Sequence, residues 1–143
     1  MVETDNRRTV TALTSKPSYV LVVDDSPSVR TVVTGMLKAN GWETQAVRDG
    51  IEALEAVRRK RPAAVLLDIE MPRMDGYELM GTLRSDPQYR NLPLIVLTSR
   101  AADKHRLRAQ QLGANAYVVK PYKDQALLET IANLVSQAQS GAL

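Results

Sequence analysis

Four short aliphatic runs, none alternating with polar residues, constrain this chain more than any other feature. They are Val20-Leu21-Val22-Val23, Ala63-Ala64-Val65-Leu66-Leu67, Leu94-Ile95-Val96-Leu97 and Ala116-Tyr117-Val118-Val119. A strand with one wet face alternates apolar and polar side chains. Runs without that alternation predict strands covered on both faces, as in a parallel sheet flanked by helices. Each run ends at polar chemistry: Asp24-Asp25, Asp68, Thr98-Ser99 and Lys120-Pro121, in chain order. If the strands lie side by side, one sheet edge collects carboxylates, a hydroxyl and an ammonium. Such an edge is suited to a divalent cation and a phosphoryl group.

Helical patterns fill the gaps between the runs. Ser26-Pro27 reads as a helix cap followed by proline in the first turn, where its missing N–H costs nothing. Val29, Val32, Val33, Met36 and Leu37 then share one helical face, and Asn40-Gly41 stops the helix. Glu43–Val47 is a shorter, less apolar strand expected at a sheet edge. Asp49-Gly50 opens a second helix carrying Ile51, Leu54 and Val57, and Pro62 ends it. Asp75-Gly76 opens a third, buried through Leu79, Met80 and Leu83. Residues 101–112 read as a helix with a poor apolar face, Leu107 and Leu112 among Lys, Arg and Gln, and so as one marginally held. The last helix carries Leu127, Leu128, Ile131, Leu134 and Val135 on one stripe. The alternation predicts an α/β fold: a five-stranded parallel sheet in the flavodoxin-like, doubly wound order 2-1-3-4-5, with five helices. Residues 19–137 form that domain, with 1–18 expected as a disordered tail or linker and 138–143 as a C-terminal tail.

Bulk composition removes several function classes. The 143 residues suit one domain. With no cysteine there is no disulfide, thiol catalyst or Cys-type zinc site, and one histidine leaves little scope for a Ser-His-Asp triad. No apolar run approaches a membrane span and no secretory signal precedes the first strand, so a soluble, cytoplasmic protein without membrane contact is expected. The net charge of +3 is mild, the basic residues are dispersed, and one Trp and five Tyr are all there is to stack bases. Direct nucleic-acid binding is therefore not expected, and no DNA-binding segment is expected in the few residues after Gln137.

The chemistry follows from the expected topology. Ligands of open parallel sheets sit beyond the carboxyl strand ends where strand order reverses, here between the first and third strands. Asp24, Asp25 and Asp68 would repel one another there unless some took up protons or a cation intervened. A hard ion with oxygen ligands and retained waters answers that need, so Mg2+ is the expected cofactor. Asp68 stands alone opposite the pair and suits a carboxylate nucleophile that forms an acyl phosphate. Lys120 adds a second cation, and the Thr98 hydroxyl a hydrogen bond. Taken singly, an aspartate after a strand is usually a turn former or cap. Their ordered recurrence at successive strand ends is what carries the functional reading.

From about Tyr19 to Val135 the chain resembles a response-regulator receiver domain, the module typified by CheY. The matching segments are Val22-Val23-Asp24-Asp25-Ser26, Leu66-Leu67-Asp68-Ile69-Glu70-Met71-Pro72-Arg73-Met74-Asp75-Gly76, Ile95-Val96-Leu97-Thr98-Ser99 and Gly113-Ala114-Asn115-Ala116-Tyr117-Val118-Val119-Lys120-Pro121. The resemblance implies phosphoryl transfer from a histidine kinase or phosphotransfer domain onto Asp68. It implies magnesium ligation by Asp25, Asp68 and the Glu70 main-chain carbonyl, with Asp24 acting through water. It places Thr98 and Tyr117 at switch positions, the hydroxyl moving toward the phosphoryl group and the ring rotating inward. It implies a cis Lys120-Pro121 peptide, and readout by a downstream protein through the helix of residues 101–112, the fifth strand and the last helix.

Asp24-Asp25-Ser26-Pro27-Ser28-Val29-Arg30, Thr98-Ser99-Arg100 and Lys104-His105-Arg106 are further similar to receivers at the C-terminus of hybrid CheA-type chemosensory kinases. That similarity implies a chemotaxis or pilus-motility pathway, with the donor possibly in the same parent polypeptide. A free-standing regulator is the competing expectation. Glu70 and Arg100 should border the site mouth, where an ion pair between them would shield an acyl phosphate from water. His105 reads as part of a solvated basic face, and Trp42 as packing beside the second strand. The expected activity is that of a phosphoacceptor that assists its own phosphorylation and dephosphorylation, not an enzyme in the turnover sense. A receiver-like adaptor that signals without phosphate is one rival. A magnesium-dependent aspartate-nucleophile phosphatase is a weaker one, since its nucleophile belongs in an Asp-x-Asp near the chain start.

Overall fold

The computed structural model describes residues 18–140; of the tail expected over residues 1–18, all but Ser18 lies outside them. Each aliphatic run is a strand: β1 (Tyr19–Val23), β3 (Ala64–Leu67), β4 (Leu94–Thr98) and β5 (Ala116–Val119), with β2 (Glu43–Val47) as the fifth. All neighbouring strands pair in parallel, in the order β2-β1-β3-β4-β5. The five helices are α1 (Pro27–Ala39), α2 (Gly50–Arg59), α3 (Gly76–Ser85), α4 (Asp103–Gln111) and α5 (Asp124–Gln139). The expected architecture is borne out, including the edge position of β2. A short 3-10 turn at Pro87–Tyr89 was not legible in the pattern.

Period-two geometry sorts the unbroken runs onto two faces. Leu21, Val23, Val65, Leu67, Leu94 and Val96 pack with Leu54, Val57, Leu79, Met80, Leu83 and Ala109, so α2, α3 and α4 share one side. Val20, Val22, Leu66, Ile95 and Leu97 pack with Val33, Leu37, Leu127, Ile131 and Val135 from α1 and α5 on the other. Trp42 packs against this second cluster, as expected from its place beside β2.

Three expected core positions are corrected. Val32 is 64% exposed, Ile51 38% and Leu107 56%. The first lies at the margin of the α1 stripe centred on Val33 and Leu37, and the second in the opening turn of α2. In α4 only Ala109 is buried, which leaves Leu107 facing outward. That helix spans 103–111, not 101–112, and its N-cap residue Ala102 offers no side-chain acceptor. α5 continues through Gln139, two residues into the segment expected as a C-terminal tail over 138–143, of which residues 141–143 lie outside the described residues. Among the described residues, no helix is long and apolar enough to cross a membrane.

Candidate functional site

The parallel ladder continues one residue past each strand and so fixes the site residues. The Asp24 N–H donates to the Val47 carbonyl at 3.1 Å, the Asp68 N–H to Val23 at 3.0 Å and the Lys120 N–H to Thr98 at 2.8 Å. Three side chains from distant segments then converge. The Lys120 Nζ lies 3.3 Å from Asp24 Oδ2 and 3.7 Å from Asp68 Oδ2, reaching past the end of β4 to do so. The peptide between Lys120 and Pro121 is cis.

Each carboxylate is further held by local geometry. Asp24 is almost fully buried, its Oδ1 accepts the Ser26 N–H at 2.9 Å, and its own carbonyl accepts from Arg30 at 2.8 Å. Asp68 Oδ1 accepts the Glu70 N–H at 3.3 Å. Gly76 lets α3 begin directly against Asp68, since a Cβ there would overlap the Asp68 carbonyl oxygen and stand 2.7 Å from Ile69 Cα. Asp75 caps that helix in a reciprocal capping box with Glu78.

Other expected site residues fall around this triad. Asp25 is exposed beside Asp24. Thr98 is fully buried, and its Oγ1 accepts the Arg100 N–H at 3.3 Å. Glu70 and Arg100 form the expected ion pair at the mouth. The Arg100 guanidinium holds the exposed Glu70 carboxyl below the usual carboxylate range. The Tyr117 hydroxyl donates to the Arg100 carbonyl at 2.7 Å, and burial pushes its phenol up. His105 is not merely a solvated basic residue: its Nδ1 is 3.1 Å from the Tyr77 hydroxyl.

Among the described residues, no three His, Cys, Asp or Glu side chains stand close enough to cage a metal by themselves. The sequence reading of a tight three-carboxylate cluster is corrected to that extent: the Lys120 ammonium supplies positive charge to Asp24 and Asp68. Mg2+ nevertheless fits this donor set, which is all oxygen and partly open to water, because that ion keeps several waters and needs only one or two carboxylates.

Sequence reasoning missed a second buried carboxylate beside the site. Asp49 is 1% exposed, caps α2 through the Glu52 N–H at 3.0 Å, and receives Arg73 Nε at 2.8 Å and Nη2 at 2.7 Å. This pair ties the loop after Asp68 to α2, together with the 3.0 Å bond from the Gly50 N–H to the Met74 carbonyl. Arg73 holds a left-handed φ of 65° there. Its only sequence signal was Asp49-Gly50, which reads equally well as a bare turn. Burial alone would raise the Asp49 pKa, but the Glu52 N–H and Arg73 outweigh it and hold the carboxyl below its ordinary value. A depressed folded pKa contributes stability that is complete above the unfolded value, near about 3.9, and is lost as pH falls through the folded one. Acid titration of unfolding free energy below about pH 4 should therefore fall more steeply for the native chain than for Asp49→Asn. Parallel curves would remove this assignment.

An open parallel sheet with acids at its strand-order reversal, reached by a lysine from a third strand end, defines a doubly wound α/β domain with an acid-and-lysine pocket at its switch point. The chain belongs to the response regulator receiver family: the model of the response regulator receiver domain matches residues 20–132. It is 39% identical over 120 residues to the response regulator MprA of Mycobacterium leprae, covering 84% of this chain and 52% of that protein. It is 38% identical over 114 residues to the sensor histidine kinase CheAY of Helicobacter pylori, covering 78% of this chain and 14% of that one. The chain thus spans about half the length of MprA and a small part of CheAY. Among solved structures, the receiver domain of the sensor histidine kinase PA1611 from Pseudomonas aeruginosa, with magnesium coordinated in its active-site cleft, superposes with a TM-score of 0.78 at 32% identity. That match covers 85% of this chain and 99% of the other.

Proposed function

We propose that this receiver accepts a phosphoryl group on Asp68 from the phosphohistidine of a kinase or phosphotransfer domain, and passes the signal on by a change of conformation. The observation that carries the reading is the position of the Lys120 amine against both Asp24 and Asp68. An Asp68 oxygen attacks phosphorus as the donor's N–P bond breaks, and the imidazole leaves with that electron pair. Lys120 holds positive charge where the phosphoryl oxygens arrive, and Asp24 keeps the lysine in place. Bound Mg2+, held by Asp25, Asp68 and the Glu70 carbonyl with Asp24 acting through water, would neutralise the remaining oxygen charge.

Thr98 is the group that answers. Among the described residues its hydroxyl is bonded only locally, to the Arg100 N–H, and a phosphoryl group on Asp68 adds nearly two negative charges nearby. The state in which Thr98 turns to that charge gains stability, and about 1.4 kcal/mol shifts its population tenfold. The downstream protein reads α4, β5 and α5, of which α4 is the most weakly anchored. The chain is an acceptor that assists its own modification, and it works in the cytoplasm. The similarity to part of CheAY favours a chemosensory pathway, chemotaxis or pilus motility, with the kinase in the same parent polypeptide.

The test is transfer of labelled phosphate from a panel of histidine kinases and phosphotransfer domains, with and without magnesium. Label on this chain, lost on chelation, is the expected result. No label from any donor, with beryllofluoride and magnesium leaving the spectrum unchanged, would favour the phosphate-independent adaptor.

The proposal extends to the Glu70–Arg100 pair: if it shields Asp68 from hydrolytic water, phosphate is lost slowly. Glu70→Ala/Arg100→Ala should shorten the acyl-phosphate lifetime by roughly threefold to tenfold, an exposed pair being individually weak. The check is a chase of labelled protein after donor removal. An unaltered decay rate counts against shielding.

A further inference from the structure

A helix that buries one alanine must be held by something else. On the β5 side, the Arg106 guanidinium carbon lies 4.8 Å from the Tyr117 ring centroid, and Arg106 Nη1 donates to the Tyr117 carbonyl at 3.4 Å. On the α3 side, Arg108 lies 4.1 Å from the Tyr77 ring centroid, and the Tyr77 hydroxyl meets His105. Arginine over a tyrosine face is attracted by the ring quadrupole, modestly at wet sites and more strongly where water is displaced. α4 therefore rests on the domain through two arginine–tyrosine stacks.

The stack on Tyr117 has a consequence beyond anchorage. The Tyr117 ring packs against the core cluster of the α2–α3–α4 face, and its hydroxyl grips the Arg100 carbonyl. The N–H of that same Arg100 is bonded to Thr98. One residue thus carries both switch side chains, Thr98 through its amide and Tyr117 through its carbonyl. Whatever holds the ring in place also sets where the loop after Thr98 rests.

We infer that Arg106 is a positioning residue of the switch: its guanidinium pins the Tyr117 ring inward over the loop after Thr98 before any phosphoryl group arrives. The inference rests on the receiver reading, in which Thr98 and Tyr117 respond to Asp68. With the ring already seated, less rearrangement separates the resting chain from its phosphorylated form. Ligands that mimic the phosphoryl group then bind more tightly than they would to a chain whose tyrosine is free.

The experiment compares wild type, R106A, R106K and R108A by NMR with uniform 15N labelling and with labelled tyrosine, first without ligand and then through a beryllofluoride titration in magnesium. In R106A the Tyr117 side-chain resonances and the Arg100 amide should move in the ligand-free protein, and half-saturation should rise roughly threefold, as expected for loss of one partly exposed stack. R106K keeps a cation over the ring and should recover most of both effects. R108A removes the other stack and should leave the Tyr117 resonances in place. Unmoved Tyr117 resonances in R106A overturn the inference, as does an equal displacement in R108A, which would mean general loosening of α4. A wild-type chain that ignores beryllofluoride defeats the receiver reading instead, while the ligand-free spectra still decide the role of Arg106.

Discussion

Asp68→Asn is expected to take up no label from a donor that phosphorylates the native chain, a fall of at least about a hundredfold, with its melting temperature little altered. The amide keeps the shape of the carboxylate and the acceptor for the Glu70 N–H. What it loses is the anionic oxygen that attacks phosphorus. Folding should survive because Lys120 retains Asp24 at 3.3 Å, and because Asp68 belongs to a strand end whose ladder bond runs through its backbone N–H. Removing one of several repelling carboxylates can even stabilise the resting state. The check is labelled transfer alongside thermal unfolding. Normal incorporation in this variant would move the acceptor elsewhere and dissolve the mechanism.

Arg84→Ala is expected to cause the largest stability loss of any single change outside the aliphatic core. The Arg84 guanidinium donates to the carbonyls of Tyr89 and Leu92 at 2.8 Å each, to Gly113 at 3.1 and 2.7 Å, and to Asn115 Oδ1 at 2.9 Å. No carboxylate takes part in that set. Burial, and then the neighbouring Arg61, push its pKa down. Truncation leaves several partly buried acceptors unpaired, at about 1–3 kcal/mol for each that water cannot reach, so a net loss of about 3 kcal/mol is expected. For a domain of this size that lowers the melting midpoint by roughly 10 °C. Arg84→Lys should recover only part, since an ammonium cannot reproduce the planar fork. Melting curves for the two variants settle the matter, and a shift under about 2 °C for the alanine change would refute the hub role.

Those two residues differ in how visible they were beforehand. Asp68 follows an aliphatic run and sits in a segment shared by receivers, so its place at a strand end was plain from the chain. Arg84 is one of many basic residues on helices, and nothing local distinguishes it from a solvated side chain. Its partners lie on the 3-10 turn, the segment entering β4 and the turn before β5. Asp49 and Arg73 share that character, because the cap was legible and the ion pair across 24 residues was not. The misplaced core positions have the same origin. Helical periodicity says which residues share a face, but Val32 and Leu107 are exposed because no neighbour among the described residues covers that part of the face.

The chain by itself determined the five parallel strands, their order and the edge at which Asp24, Asp25, Asp68, Thr98 and Lys120 emerge. Unbroken aliphatic runs can be buried in few other ways, and parallel connections leave few topologies open. Only the tertiary structure decided which of those groups touch. It set the lysine between Asp24 and Asp68, left Asp25 at the surface, turned the Thr98 hydroxyl onto Arg100 and laid Arg106 over Tyr117. Contacts between side chains depend on separations of a few ångströms across segments far apart in the chain, and hydrophobic patterning carries no information on that scale.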